Sequence, residues 1–187
     1  MPLREGWAAA VADVEGADPV SESEQHTGLY CRVEIPQGSR NKYEWNDELG
    51  EITLNRFLFS SVVYPTDYGF FPDTLAEDGD PLDALVCVSE PTFPGCMIEV
   101  KPIGVLRMSD EEGRDDKIIC VPCRDPNWMR YEKLEDLSDQ LRGEIEHFFS
   151  IYKQRERKEV VIDGWQSREV ALRLIELAYA RRREQSL

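Results

Sequence analysis

The hydrophobic period of this chain changes once, near Ser138, and that change limits the folds open to it. Before Ser138 the apolar residues recur every second position or in short unbroken runs, as strands require. In "LYCRVEI", Leu29, Cys31, Val33 and Ile35 alternate with Tyr30, Arg32 and Glu34, and Pro36 and Gly38 close the run. "NKYEWNDELGEITLNRFL" reads as two strands around a turn near residues 47–50. "LDALVCV", "MIEVKPIGVLRM" and "KIICV" read as three more, the second bent at Pro102 or Gly104. The stretch 60–77, rich in Tyr, Phe, Pro and Gly, is expected to be irregular, with its aromatics packed around a loop. After Ser138, a plausible N-cap, the spacing becomes helical: Leu141, Ile145, Phe148, Phe149 and Tyr152. A second helix starts near Ser167 with Val170, Leu172, Leu174, Ile175 and Leu177 as its apolar positions, and its basic end suits a helix C-terminus. Strands first and helices last imply an α+β chain with a small closed β core and helices packed outside.

The length of 187 residues suits one domain, expected over residues 26–187. Residues 1–25, rich in Ala, Glu, Asp and Ser, read as a loosely attached tail. Trp7 to Ala12 is too short and too weakly apolar for a secretory signal, and no run approaches membrane-spanning length. A cytoplasmic protein without a membrane partner is expected. The formal net charge of -15 argues against a nucleic-acid surface, which needs an excess of Lys and Arg. The same charge means that an anionic ligand must be met by a local basic cluster or by cations. Five cysteines, an odd number, fit reduced thiols. Cys120 and Cys123 form one C-x-x-C, but zinc would need further ligands from His26, His147 and three scattered cysteines, so a core role is expected for the pair.

Two acidic segments abut apolar strands. In "EDGDPLDAL", Gly79 and Pro81 favour a tight turn that can gather Asp78, Asp80 and Asp83 on one side. A calcium loop of the EF-hand type fails on spacing: counted from Asp78, Leu82 holds the fifth position, Asp83 stands where Gly is needed, and Ser89 replaces the final Glu. A solvated acidic turn remains the plain alternative. The second segment, "MSDEEGRDDK", carries Asp110, Glu111, Glu112, Asp115 and Asp116, and alone reads as an exposed hairpin loop. If the adjoining strands are neighbours, the two loops face each other, and their hard oxygen donors suit Mg²⁺ or Mn²⁺. Metals shared by carboxylates suit attack on phosphorus. Lys42, Arg56, Lys117 and Lys153, each alone an ordinary surface cation, could join Tyr64 and Tyr68 in a pocket for phosphate oxygens.

"EDGDPLDALV" is similar to the signature of the family I soluble inorganic pyrophosphatases, D-x-D-P-x-D followed by a hydrophobic strand. The resemblance continues in order through "VEIPQGSRNKYEW", "NRFLFSSVVYPTDYGFFPDTL", "PIGVLRMSDEEGRDDKIICV" and "IEHFFSIYK", over roughly residues 29–165. It implies a closed, five-stranded, OB-like β-barrel flanked by helices, and Mg²⁺-dependent hydrolysis of pyrophosphate to two orthophosphates, with Mn²⁺ or Zn²⁺ as substitutes. Carried over by position, Asp78, Asp83 and Asp115 would hold a first metal, and Asp83 would bridge to a second. Asp110 and Asp115 would hold a further metal that arrives with substrate, and Glu34 another. Asp80 would take the proton of a metal-bridged water. Lys42, Arg56, Lys117, Tyr152 and Lys153 would bind phosphate groups, Tyr68 would hydrogen-bond near the water, and Glu44 would support the site's edge.

The resemblance also implies a homo-oligomer, commonly a hexamer, with His147 on a helix that relatives use at subunit contacts. "QGSRN" before Lys42 is a variant of bacterial and archaeal members, and residues 1–25 have no counterpart in the family core. Two rivals stand beside this reading. A nucleotide pyrophosphatase would prefer a nucleoside triphosphate, yet the chain has no Walker A loop. A non-catalytic metal-binding OB-like module would bind cations without turnover.

Overall fold

The computed structural model describes residues 27–111 and 113–185; the expected tail, residues 1–25, lies outside them. Nine strands appear in chain order: β1 (Tyr30–Ile35), β2 (Asn41–Asn46), β3 (Glu51–Phe57), β4 (Asp67–Phe70), β5 (Asp83–Val86), β6 (Met97–Asp110), β7 (Gly113–Arg114), β8 (Lys117–Pro122) and β9 (Val161–Ser167). Two α-helices, α1 (Asp139–Ile151) and α2 (Arg168–Gln185), follow the expected order. Among the described residues, seven strands form one mixed sheet, in which only β5 and β8 run parallel. Its pairings run β1–β4–β5–β8–β6 and return from β6 to β1, which closes a ring of five strands. β2 and β3 form a separate hairpin.

The unbroken apolar runs are explained by burial on both faces. Leu85, Cys87, Ile119 and Val121 enter one core cluster, packed under α1. Their alternating neighbours Ala84, Val86, Ile118 and Cys120 enter a second, packed under α2. Helix α1 and its C-cap Tyr152 present Ile145, Phe148, Phe149 and Tyr152 to the first cluster, a stripe at i, i+3, i+4 and i+7. Each such side chain contributes roughly 1.5–3 kcal/mol on burial. Ser138 caps the helix by accepting from the Leu141 N–H at 3.2 Å, worth about 1 kcal/mol. Helix α2 buries Ala171, Ile175 and Ala178, whereas Leu177, read as apolar-face, is exposed. Small residues let α2 lie close to the sheet.

β6 skips a residue against β8 between Pro102 and Gly104, the position of the expected bend. Two elements depart from expectation. The stretch 60–77 holds β4, whose Gly69 packs so tightly on β1 that a Cβ there would stand 2.0 Å from the Arg32 carbonyl oxygen. β9 precedes α2 directly and pairs with the outer half of β6. Cys120 and Cys123 are free and buried, as are Cys31 and Cys87.

Candidate active site

A cavity of about 430 Å³ opens between the hairpin, the ends of β4, β5 and β8, and the C-terminal turn of α1. All thirteen residues that the family resemblance assigns to the site lie on its wall, whereas Glu111 and Asp116 of the second acidic segment do not, Asp116 pairing with Arg107 at 2.8 Å. Glu34 comes from β1, Lys42 and Glu44 from β2, Arg56 from β3, and Tyr68 from β4. Asp78 and Asp80 come from the turn before β5, and Asp83 from its first residue. Asp110 ends β6, Asp115 precedes β8, Lys117 begins it, and Tyr152 and Lys153 follow α1.

Local backbone chemistry aims these groups. At the acidic turn, Asp78 accepts from the Asp80 N–H at 3.0 Å, and Gly79 takes a left-handed φ of 97° that other residues resist. Asp80 is exposed while Asp78 and Asp83 are partly covered. On β1 a register shift between Val33 and Ile35 breaks the alternation, so Glu34 is buried beside both neighbours. Its carboxylate accepts the Trp45 N–H at 2.6 Å. Burial, only partly opposed by that bond, pushes the Glu34 carboxyl up to about 8.

Lys117 is the electrostatic centre. Only 2% of its side chain is exposed, and its ammonium donates to Asp83, to Asp115, and at 3.4 Å to the Tyr68 hydroxyl. Burial pulls its pKa down, but the two carboxylates together outweigh it and hold the group charged. Tyr68 donates to Asp83 at 2.6 Å. Burial and the nearby acids push the phenols of Tyr68 and Tyr152 well up, so both stay neutral donors. Asp83 and Asp78 are raised by burial and by the charge of Asp115. Lys153 meets Asp110 at 2.5 Å, and Lys42 pairs with Glu44. The Tyr64 hydroxyl, 1% exposed at residue level, has no protein partner among the described residues.

Eight carboxyl groups and five cations line this wall, so acid exceeds base where an anion is expected. Oxygen donors in excess suit hard divalent cations, which would offset the burial, and the smaller repulsion from Asp115, that raise Asp78 and Asp83. Among the described residues no three His, Cys, Asp or Glu groups stand close enough for a ready cage; the Lys117 ammonium is bonded to both Asp83 and Asp115. Some wall residues escaped sequence reading. Lys158, paired with Glu111 at 2.5 Å, looked like one of several charges in "KQRERKE". Trp45, under the Arg32 guanidinium at 4.3 Å, looked like a strand residue. Only a known chain path could have separated them from their neighbours.

Residues 31–183 match the sequence profile of the family described as inorganic pyrophosphatase. An inorganic pyrophosphatase of Methanosarcina mazei is 57% identical over 153 residues, covering 82% of this chain and 90% of that relative. One from Streptomyces coelicolor is 52% identical over 154 residues, covering 82% and 94%. The crystal structure of inorganic pyrophosphatase from Thermus thermophilus superposes with a TM-score of 0.80 at 42% identity, covering 82% of this chain and 90% of that one.

Proposed function

The chain belongs to the family I soluble inorganic pyrophosphatases, enzymes that hydrolyse pyrophosphate, and from that premise we propose that this cavity is the active site and Mg²⁺ its cofactor. The observation that carries the proposal is convergence. Thirteen nominated residues from separate segments of the chain share one cavity wall, with acids and cations interleaved.

Asp78, Asp83, Asp115, Asp110 and Glu34 would hold Mg²⁺, for which Mn²⁺ or Zn²⁺ can substitute. Bound there, the cation supplies charge neutralisation and a lowered water pKa. The remaining chemistry belongs to side chains of the chain. Asp80 accepts the proton of the attacking water and, being exposed, can return it to solvent. Lys42, Arg56, Lys117, Lys153 and the Tyr152 hydroxyl bind the phosphate groups and stabilise charge on the leaving phosphate. The two buried lysines give up carboxylate partners for phosphate oxygens. Tyr68, fixed on Asp83, orients the water's side of the site. Glu44 holds the Lys42 ammonium at the rim.

We read the five-strand ring as a closed, OB-like barrel and residues 26–187 as one domain. A cytoplasmic homo-hexamer is the assembly we propose, with His147, exposed on α1, near a subunit contact. The test is phosphate release from pyrophosphate with excess Mg²⁺, with and without EDTA, beside ATP. Rapid release from pyrophosphate alone, abolished by EDTA, is expected. Faster release from ATP would favour a nucleotide enzyme, and no release with any metal would favour a binding module.

A further inference from the structure

Arg56 reaches the cavity from β3, and its guanidinium is already occupied on one edge. Its Nε donates to Glu156 Oε1 at 3.0 Å and its Nη2 to Glu156 Oε2 at 2.8 Å, a bidentate pair between residues 100 positions apart. Its Nη1 donates to Asn55 Oδ1 at 2.7 Å. Asn55 is the extra residue of a bulge in the hairpin, where Lys42 faces Arg56 but Tyr43 faces Leu54. The Asn55 amide then donates to Glu44 at 2.5 Å. A guanidinium has five N–H donors. Three are engaged, leaving two, one on each terminal nitrogen. A fork with one edge fixed cannot rotate, so its remaining terminal N–H donors are held in a set direction for phosphate oxygens.

Glu156 sits on a single 3₁₀ turn, Gln154–Glu156, that follows Tyr152 and Lys153 without a break. Its side chain is 11% exposed. The turn is closed by the Glu156 N–H on the Lys153 carbonyl at 2.9 Å and ends at Arg157 with a left-handed φ of 60°. One short turn thus carries Lys153 and holds Arg56, both of them on the cavity wall. Among the described residues the hairpin has no strand pairing with the main sheet, and this ion pair ties it to the turn after α1.

We propose that Glu156 is a positioning residue for the reaction: it clamps Arg56 so that the guanidinium presents its remaining N–H donors to a phosphate group. The inference rests on the pyrophosphatase reading of the cavity. It also fixes a sign. If Glu156 were merely one more negative charge near an anion site, removing it would strengthen anion binding. Clamping requires the opposite.

The test compares the full-length parent with Glu156→Ala, Glu156→Gln, Arg56→Ala and the Arg56→Ala/Glu156→Ala pair. Hydrolysis kinetics are read with Mg²⁺, thermal melting is recorded, and affinity for imidodiphosphate, a non-hydrolysable pyrophosphate, is read by calorimetry. Glu156→Ala should raise KM and weaken imidodiphosphate binding about tenfold, with kcat within about threefold. Glu156→Gln, which keeps one acceptor, should fall between. Without Arg56, removing Glu156 should change neither KM nor affinity further. An unchanged or lowered KM in Glu156→Ala, or an equal loss in the Arg56→Ala background, overturns the clamp whatever happens to the melting temperature. If the parent itself releases no phosphate, the pyrophosphatase reading falls, and imidodiphosphate affinity alone decides the clamp. Equal affinity in parent and Glu156→Ala, or none in the parent, then overturns it.

Discussion

Lys42 and Arg56 stand directly opposite each other across the β2–β3 ladder, two cations in adjacent register. Facing like charges destabilise a sheet, and here each is offset by its own carboxylate, Glu44 for Lys42 and Glu156 for Arg56. The doubled charge makes sense if a polyanion is to be gripped between them. Lys42→Met should therefore leave stability nearly unchanged, since its ion pair is partly exposed and worth about 0–1 kcal/mol. The KM for pyrophosphate should rise about tenfold or more. Melting curves and steady-state kinetics on one preparation check both halves.

Asp80 and Asp83 lie three residues apart but in different settings, one exposed and one bonded to Tyr68 and Lys117. Asp80→Asn should bind Mg²⁺ and imidodiphosphate almost as the parent does and lose about 10²–10⁴-fold in kcat. Asp83→Asn should raise the Mg²⁺ concentration needed for half-maximal activity. Parental turnover in Asp80→Asn would remove it from the role of base.

Lys117→Met leaves Asp83 and Asp115 facing each other with no cation between them. Breaking a buried ion pair on one side costs about 3–5 kcal/mol, so the metal-free variant should melt well below the parent. Saturating Mg²⁺ should recover a large part of that loss if divalent ions occupy the same acids. Calorimetry in EDTA and in Mg²⁺ reads the difference, and equal losses in both would separate the ion site from Asp83 and Asp115.

Glu34 sets a pH dependence for the metal-free protein. Its folded carboxyl lies at about 8, above the unfolded value of 4.5, so the folded chain keeps a proton that the unfolded chain releases. Its contribution is fully present below pH 4.5 and is lost as pH rises through 8, on the order of a few kcal/mol. In EDTA, Glu34→Gln should flatten that decline and melt higher than the parent at pH 8. An unaltered slope in the variant would place the decline elsewhere.

The legible and the hidden parts of this fold divide along physical lines. β5, β8 and the α1 stripe were readable because burial imposes unmistakable periods on "LDALVCV", "KIICV" and Leu141 to Tyr152. β4 was not, because Gly69 is selected by its approach to Arg32 rather than by any period. β9 was hidden because none of its residues is fully buried, its exposed and half-buried positions keep no steady period, and Gly164 interrupts the run with a positive φ. The acids and cations of the cavity were nominated mainly by ordered resemblance, and their convergence depends on pairings such as β5 with β8 that span more than thirty residues. Glu156 escaped because, within "KQRERKE", nothing local tells a clamp from a solvated charge.

The long strand β6 pairs with β1, β7, β8 and β9 in turn. On a ribosome that arrangement imposes an order of events. The ring of five strands has no closure until β8 has emerged, at Pro122, and the cavity has no Lys153 or Glu156 until some thirty residues later. The β1 and β4 segments are both present once Phe70 has emerged, but the other edge of β1 has no partner until β6 begins at Met97. During synthesis the nascent chain therefore carries an open sheet and an incomplete site, and acquires its chemistry only when its last third arrives.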